Sequence, residues 1–259
     1  MIPIGVCTSI EHAPALVASG VDFLEENIQR VLVPHEPTSA FSPLLAALRA
    51  SPLPVPSANS FLPATLKCVG PDVDLAALTR YIEVACARAA EAGITTLVLG
   101  SGGARQIPAG WDSARARDQF VALLELIAPH AERSGVTVVV EALNRGECNL
   151  INSLAEGADV VSAVNHPNIR LLTDIYHMLR EDELADQITA YAHLITHAHI
   201  AERVERTVPG RAGDDFGTYF GALKAMNYRG AMAIEARYGA DLVADVTLGV
   251  TTLRASLPL

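Results

Sequence analysis

Four side chains able to hold a cation stand at the ends of four short apolar runs in the second half of the chain. Glu141 follows Val136-Thr137-Val138-Val139-Val140, and Asp174 follows Ile169-Arg170-Leu171-Leu172-Thr173. His199 lies in the run 195–202 and Glu235 in the run 231–237. A carboxylate at the end of a buried strand is costly unless something compensates its charge, and a divalent cation does so. Three carboxylates and one imidazole form a hard, oxygen-rich set. It suits Mn²⁺, Mg²⁺ or Co²⁺ better than structural Zn²⁺, which prefers thiolate and imidazole. The expectation is one divalent ion, Mn²⁺ first, with Mg²⁺, Co²⁺ and Zn²⁺ as alternatives. Taken singly, each acid is equally well read as a capped or salt-bridged structural residue; four together favour a metal site. His197, two residues before His199 on the same strand face, is either a satisfied core histidine or a partner of the ligand.

The elements that must carry these residues alternate. Apolar runs at 4–8, 22–27, 55–61, 96–99, 136–140, 169–173, 195–202 and 231–237 read as strands. Helical patterns at 12–19, 43–50, 74–92, 114–133, 153–164, 184–193, 219–226 and 241–254 follow them in turn. In the third helix Leu75, Leu78, Tyr81, Ile82, Ala85 and Ala89 keep helical spacing, and Gly93 and Gly135 mark helix ends. Strands alternating with helices imply parallel pairing, and eight such units imply an α/β fold, a single (β/α)8 barrel spanning 1–259. An open doubly wound sheet would carry a glycine fingerprint after the first strand, and Val6-Cys7-Thr8-Ser9 has none. In such a barrel the chemistry sits at the C-terminal strand ends, which puts Glu141, Asp174, His199 and Glu235 at one mouth.

The 259 residues carry a net charge of −10, which argues against a nucleic-acid surface. No apolar run approaches the ~18 residues of a membrane span, and no basic region leads a hydrophobic stretch as in a signal peptide. Four scattered cysteines without paired spacing read as reduced thiols in a cytoplasmic protein. The low charge content, 19%, leaves room for a homo-oligomer, dimer or tetramer. Gly100-Ser101-Gly102-Gly103 lacks the Lys-Ser/Thr ending of a P-loop and reads as a mouth loop rather than a phosphate cradle. Trp111 either lines the pocket or anchors its loop. Arg105, Arg145, Arg206 and Arg211 could meet a phosphate, against ordinary surface roles.

Val140-Glu141-Ala142-Leu143-Asn144-Arg145-Gly146-Glu147, Asp174-Ile175-Tyr176-His177-Met178 and His197-Ala198-His199-Ile200-Ala201-Glu202 resemble the xylose-isomerase-like TIM barrels. Within these the likeness is to ketose 3-epimerases of the D-tagatose and D-psicose type. It extends through Arg206-Thr207-Val208-Pro209-Gly210 and Ile234-Glu235, covering the C-terminal half well and the N-terminal half in outline. The resemblance implies that Glu141, Asp174, His199 and Glu235 hold the metal, and that Glu147, His177 and Arg206 contact substrate oxygens. The segment after His199 runs one residue longer than the family pattern; Arg206 keeps its distance to Pro209-Gly210 and is preferred to Arg203.

The implied reaction is epimerisation or isomerisation of a ketose or sugar phosphate through a metal-stabilised cis-enediolate. Glu141 and Glu235 would be the acid and base, with His177 or Arg206 steadying the oxyanion. A proton returned to the same carbon makes an epimerase; one returned to the neighbouring carbon makes an aldose–ketose isomerase. The alternatives are other metal enzymes of this scaffold: a hydroxypyruvate-type isomerase, an inosose-type dehydratase or an endonuclease-like hydrolase. The last needs a richer ligand set, and His12, His35, His130, His166 and His193 fall away from the strand ends. A non-catalytic sugar-binding barrel is the third reading.

Overall fold

Runs such as Thr137–Glu141, Thr-Val-Val-Val-Glu, favour extended backbone because β-branched side chains fit a pleated surface. Burial on both faces suits a parallel sheet covered by helices. The computed structural model describes residues 1–257. Its strands are β1 (Ile4–Cys7), β2 (Phe23–Asn27), β3 (Ser57–Asn59), β4 (Thr96–Leu99), β5 (Thr137–Glu141), β6 (Ile169–Asp174), β7 (Ile195–Ile200) and β8 (Ala231–Ile234). They pair in sequence order, all parallel, and β8 closes onto β1. This is the (β/α)8 barrel.

One side of each strand packs on the helices; the other fills the interior, where Val98, Val139 and Leu172 meet. Phe23 takes interior space beside Gly5, where a Cβ would lie 2.2 Å from its ring. Because side chains alternate with a period of two, Val139 shares its face with Glu141, Leu172 with Asp174, and His197 with His199. The β6–β7 register shifts by one residue after Leu171, so His199 stands opposite Asp174. Without that bulge the opposite residue would be Ala198, and a one-residue slip reverses which side chains face in.

The covering helices include Thr38–Ala50, Leu75–Ala92, Ser113–Ser134, Leu154–Val164, Gly217–Ala225 and Leu242–Ser256. Asp74, Asp112, Ser153 and Asp241 cap four of them by accepting a hydrogen bond from the N–H three residues on. Gly93 and Gly135 end two helices in the left-handed conformation the sequence spacing predicts. No helix among the described residues is long and apolar enough to cross a membrane.

Several boundaries differ from expectation. The third strand shrinks to three residues: Pro56 has no N–H to give a ladder, and Ser60 turns left-handed at φ 59°. The second helix begins five residues earlier, at Thr38, with Pro43 inside its early turns and Phe41 buried. The segment 12–19 is a short helix, Ala13–Leu16, between two 3₁₀ turns, and 184–193 reduces to Asp186–Ala190. A helix not anticipated, Ile175–Arg180, starts directly at the end of β6, capped by Asp174.

Glu183, in the loop after that helix, accepts from the Leu154 N–H at 2.9 Å. Burial, with Glu156 and Glu181 nearby, pushes its carboxyl up to about 7. A raised carboxyl pKa means the folded state resists ionisation, so stability is lost as pH rises from the unfolded value near 4.5 to about 7. Glu183→Gln keeps the acceptor and removes the charge. After discounting for solvent screening, it should add about 1 kcal/mol at pH 8, or ~2–4 °C in Tm, and nothing at pH 4. Thermal melts at the two pH values check this; an equal shift at both contradicts it.

Candidate active site

Glu141, Asp174, His199 and Glu235 converge at the C-terminal mouth, each offering an atom within 4.8 Å of the others. Glu141 and Asp174 end β5 and β6, His199 is next to last in β7, and Glu235 directly follows β8. His199 Nδ1 lies 3.1 Å from Glu141 Oε1 and 3.5 Å from Glu235 Oε2. Asp174 divides its labour: Oδ1 accepts from the Tyr176 N–H at 2.8 Å, while Oδ2 is buried without a hydrogen-bond partner. Burial pushes both the Glu141 and Asp174 carboxyls up, and Glu235 adds its repulsion to each. Burial would raise Glu235 as well, but His199 and Arg206 hold it down at about 2.

Above this cluster opens a cavity of about 370 Å³, within the range of ligand pockets. His177, Glu147 and Arg206 line it, as do Asn59, Gln29 and the turn Gly100–Gly103. The His177 Nδ1 accepts from the Asn144 backbone N–H at 3.0 Å, and burial lowers its pKa. That pattern assigns the neutral ring's proton to Nε2, which is buried and without a hydrogen-bond partner, 3.5 Å from Asp174 Oδ2. Arg206 stacks on Tyr176 at 4.5 Å, pairs with Glu235 and reaches Glu147 at 3.5 Å. Arg203 instead pairs with Asp182 away from the cavity.

Other sequence candidates lie elsewhere. Arg105 is fully buried, its guanidinium donating to the backbone carbonyls of Glu141 at 2.7 Å and Leu99 at 3.4 Å. It anchors the strand ends and cannot reach a phosphate. Arg145 pairs with Glu181 and Arg211 with Asp245. Trp111 donates to Gln119 and lies under Arg115, which makes it a loop anchor outside the cavity lining. The glycine turn lines the cavity, and a Cβ on Gly100 would meet Glu141 Oε2 at 2.1 Å.

Three contributors have no counterpart in the sequence reading. Asn59 donates to Glu235 Oε1 at 3.1 Å and Gln29 to the Ser60 carbonyl at 2.8 Å. Glu25, buried inside the barrel, meets the Nε2 atoms of both His197 and His199 at 2.7 Å. Burial opposes its charge, yet the two imidazoles hold its carboxyl well below the usual range. The available signal was the acidic pair Glu25-Glu26 in a strand, but Glu26 faces out to Arg30 and nothing local tells the two apart.

The description of the xylose isomerase-like TIM barrel family matches residues 14–253. An L-ribulose 3-epimerase of Methylomonas sp. (strain DH-1) is 34% identical over 124 residues, 48% of this chain and 43% of that protein. A D-psicose 3-epimerase of Ruminiclostridium cellulolyticum is 36% identical over 110 residues, 42% and 37% of the respective lengths. The chain thus matches less than half the length of these curated relatives. A crystal structure of D-allulose 3-epimerase from Methylomonas sp. superposes with a TM-score of 0.84 at 23% identity, covering 99% of this chain and 98% of that one, a likeness of fold. By sequence and by architecture the chain belongs to the xylose isomerase-like TIM barrel family.

Proposed function

We propose that this barrel epimerises a ketose, with a divalent cation held by Glu141, Asp174, His199 and Glu235 and with Glu141 and Glu235 as its acid–base pair. The observation that carries this reading is the pair of glutamates flanking His199 Nδ1 at the floor of one cavity. The residues fit a cation: three carboxylates crowd within 4.8 Å, and the buried Asp174 Oδ2 lacks a hydrogen-bond partner. Hard oxygen donors with one imidazole favour Mn²⁺. Such an ion supplies Lewis-acid polarisation of the ketose carbonyl and its neighbouring hydroxyl.

The chain's own residues do the rest. One glutamate removes the proton bound to carbon, and the other returns a proton on the opposite face, which inverts that centre. They stand on β5 and after β8, with β6 and β7 between them, so each addresses the substrate from a different side. Asn59 and Arg206 grip separate oxygens of Glu235 and fix its orientation. His177 lines the cavity, and in this reading its Nε2–H steadies a developing oxyanion. Glu147 can accept from a substrate hydroxyl. The charge-bearing side chains at the cavity are Glu141, Glu147, Glu235 and one arginine already paired with Glu235, with Asp174 beneath; these four acids outnumber the arginine and a divalent cation together, a balance that favours an uncharged ketose over a sugar phosphate.

The test incubates the Mn²⁺-supplemented protein with free and phosphorylated ketoses in deuterated water. The expected result is one carbon-bound deuterium in a free ketose and its epimer, lost on EDTA treatment and restored by Mn²⁺. No carbon-bound deuterium from any ketose overturns the proposal.

A further inference from the structure

Glu25 sits on β2, three strands round the ring from β7, yet both of its oxygens are spent on β7. Oε1 lies 2.7 Å from His199 Nε2, and Oε2 lies 2.7 Å from His197 Nε2. Ser57 Oγ donates to Oε2 at 2.8 Å, and the Cys7 thiol approaches Oε1 at 3.4 Å. The carboxylate is 1% exposed. Sinking a carboxylate this far is expensive unless its partners are specific.

An ionised carboxylate only accepts hydrogen bonds, so both imidazoles must present N–H at Nε2. For His199 this leaves Nδ1, the atom facing Glu141 and Glu235, as the nitrogen with a lone pair to give. A cation ligand must offer that lone pair, and ligating histidines have their other ring nitrogen held by just such an acceptor. We propose that Glu25 is a positioning residue for the cation: by accepting from His199 Nε2 it fixes the tautomer and ring angle that turn Nδ1 into the carboxylate cluster. This rests on the metal reading above.

Two variants separate positioning from packing. Glu25→Leu stays close in volume and removes both acceptors, so the Nε2–H of His199 is no longer held. His197→Gln leaves the Oε1–His199 contact intact and can still donate to Oε2. Mn²⁺ affinity of metal-free protein, by titration calorimetry, should fall about 10–100-fold in Glu25→Leu. In His197→Gln it should stay within about threefold, with thermal melts recording folding of both. Glu25→Leu binding Mn²⁺ as well as wild type overturns the proposal, and so do equal losses in both variants. Wild type that binds no Mn²⁺ overturns the metal reading and this proposal together. A second measurement needs no variant: ¹⁵N-histidine spectra of Mg²⁺-loaded wild type should show His199 protonated at Nε2 and bare at Nδ1. The opposite tautomer overturns the proposal even if Glu25→Leu fails to fold.

Discussion

Glu141→Gln and Glu235→Gln should each cut solvent-deuterium incorporation into a bound ketose by about 10²–10⁴-fold, the usual worth of a positioned acid or base. Glutamine keeps the size of the side chain and one oxygen for a cation, and loses the capacity to take up or release a proton near neutral pH. If both residues move protons, either variant blocks the full exchange, because inversion needs a group on each face. A small residual exchange in one variant alone would reveal which glutamate abstracts and which returns the proton. Metal content measured on the same samples separates loss of chemistry from loss of the ion. Unchanged exchange in both variants, with metal bound, refutes their assignment as acid and base. A binding-only barrel would show no exchange even in the wild type.

Why these four ligand candidates could be read from sequence while Glu25 could not is a matter of range. Glu141 and Asp174 each terminate an apolar run, and the period of two then places them on the interior face of their own strands. That inference uses only neighbours in the chain. Glu25 meets His199 across 174 residues, and its facing inward depends on how the barrel closes. The β6–β7 bulge after Leu171 is equally silent in the sequence, although it is what sets His199 beside Asp174. Helix ends at Gly93 and Gly135 were legible because left-handed backbone selects a residue type. The helix Ile175–Arg180 was not, since its cap is the same Asp174 that reads as a strand end.

Arg105 illustrates a different failure. A lone arginine is normally on the surface, so a phosphate contact or a solvated face were the natural readings. Its burial goes with what it holds: the strand-end carbonyls of Leu99 and Glu141 accept from its guanidinium, and the Phe120 ring lies 5.7 Å from it. The strand end that carries Glu141 is therefore supported twice. Arg105 holds the Glu141 backbone from outside the cavity, and His199 holds its carboxylate from within.

That double support makes Gly100→Ala a severe probe of the site and a mild one of the fold. Gly100 has a backbone φ that alanine can adopt, so the substitution adds one methyl group and no backbone strain. The methyl would lie 2.1 Å from Glu141 Oε2 and 3.3 Å from its Cδ, inside any tolerable contact. Arg105 keeps the strand end from retreating, so the side chain must swing, breaking the 3.1 Å contact with His199. A displacement of about 1 Å in a reacting group costs ~10²-fold in rate. Turnover of the best ketose from the panel should fall by about that factor. Thermal stability should stay within a few degrees, since the clash is relieved by one rotating carboxylate. Turnover within threefold of wild type would show that the position of Glu141 seen here is not the one the reaction uses.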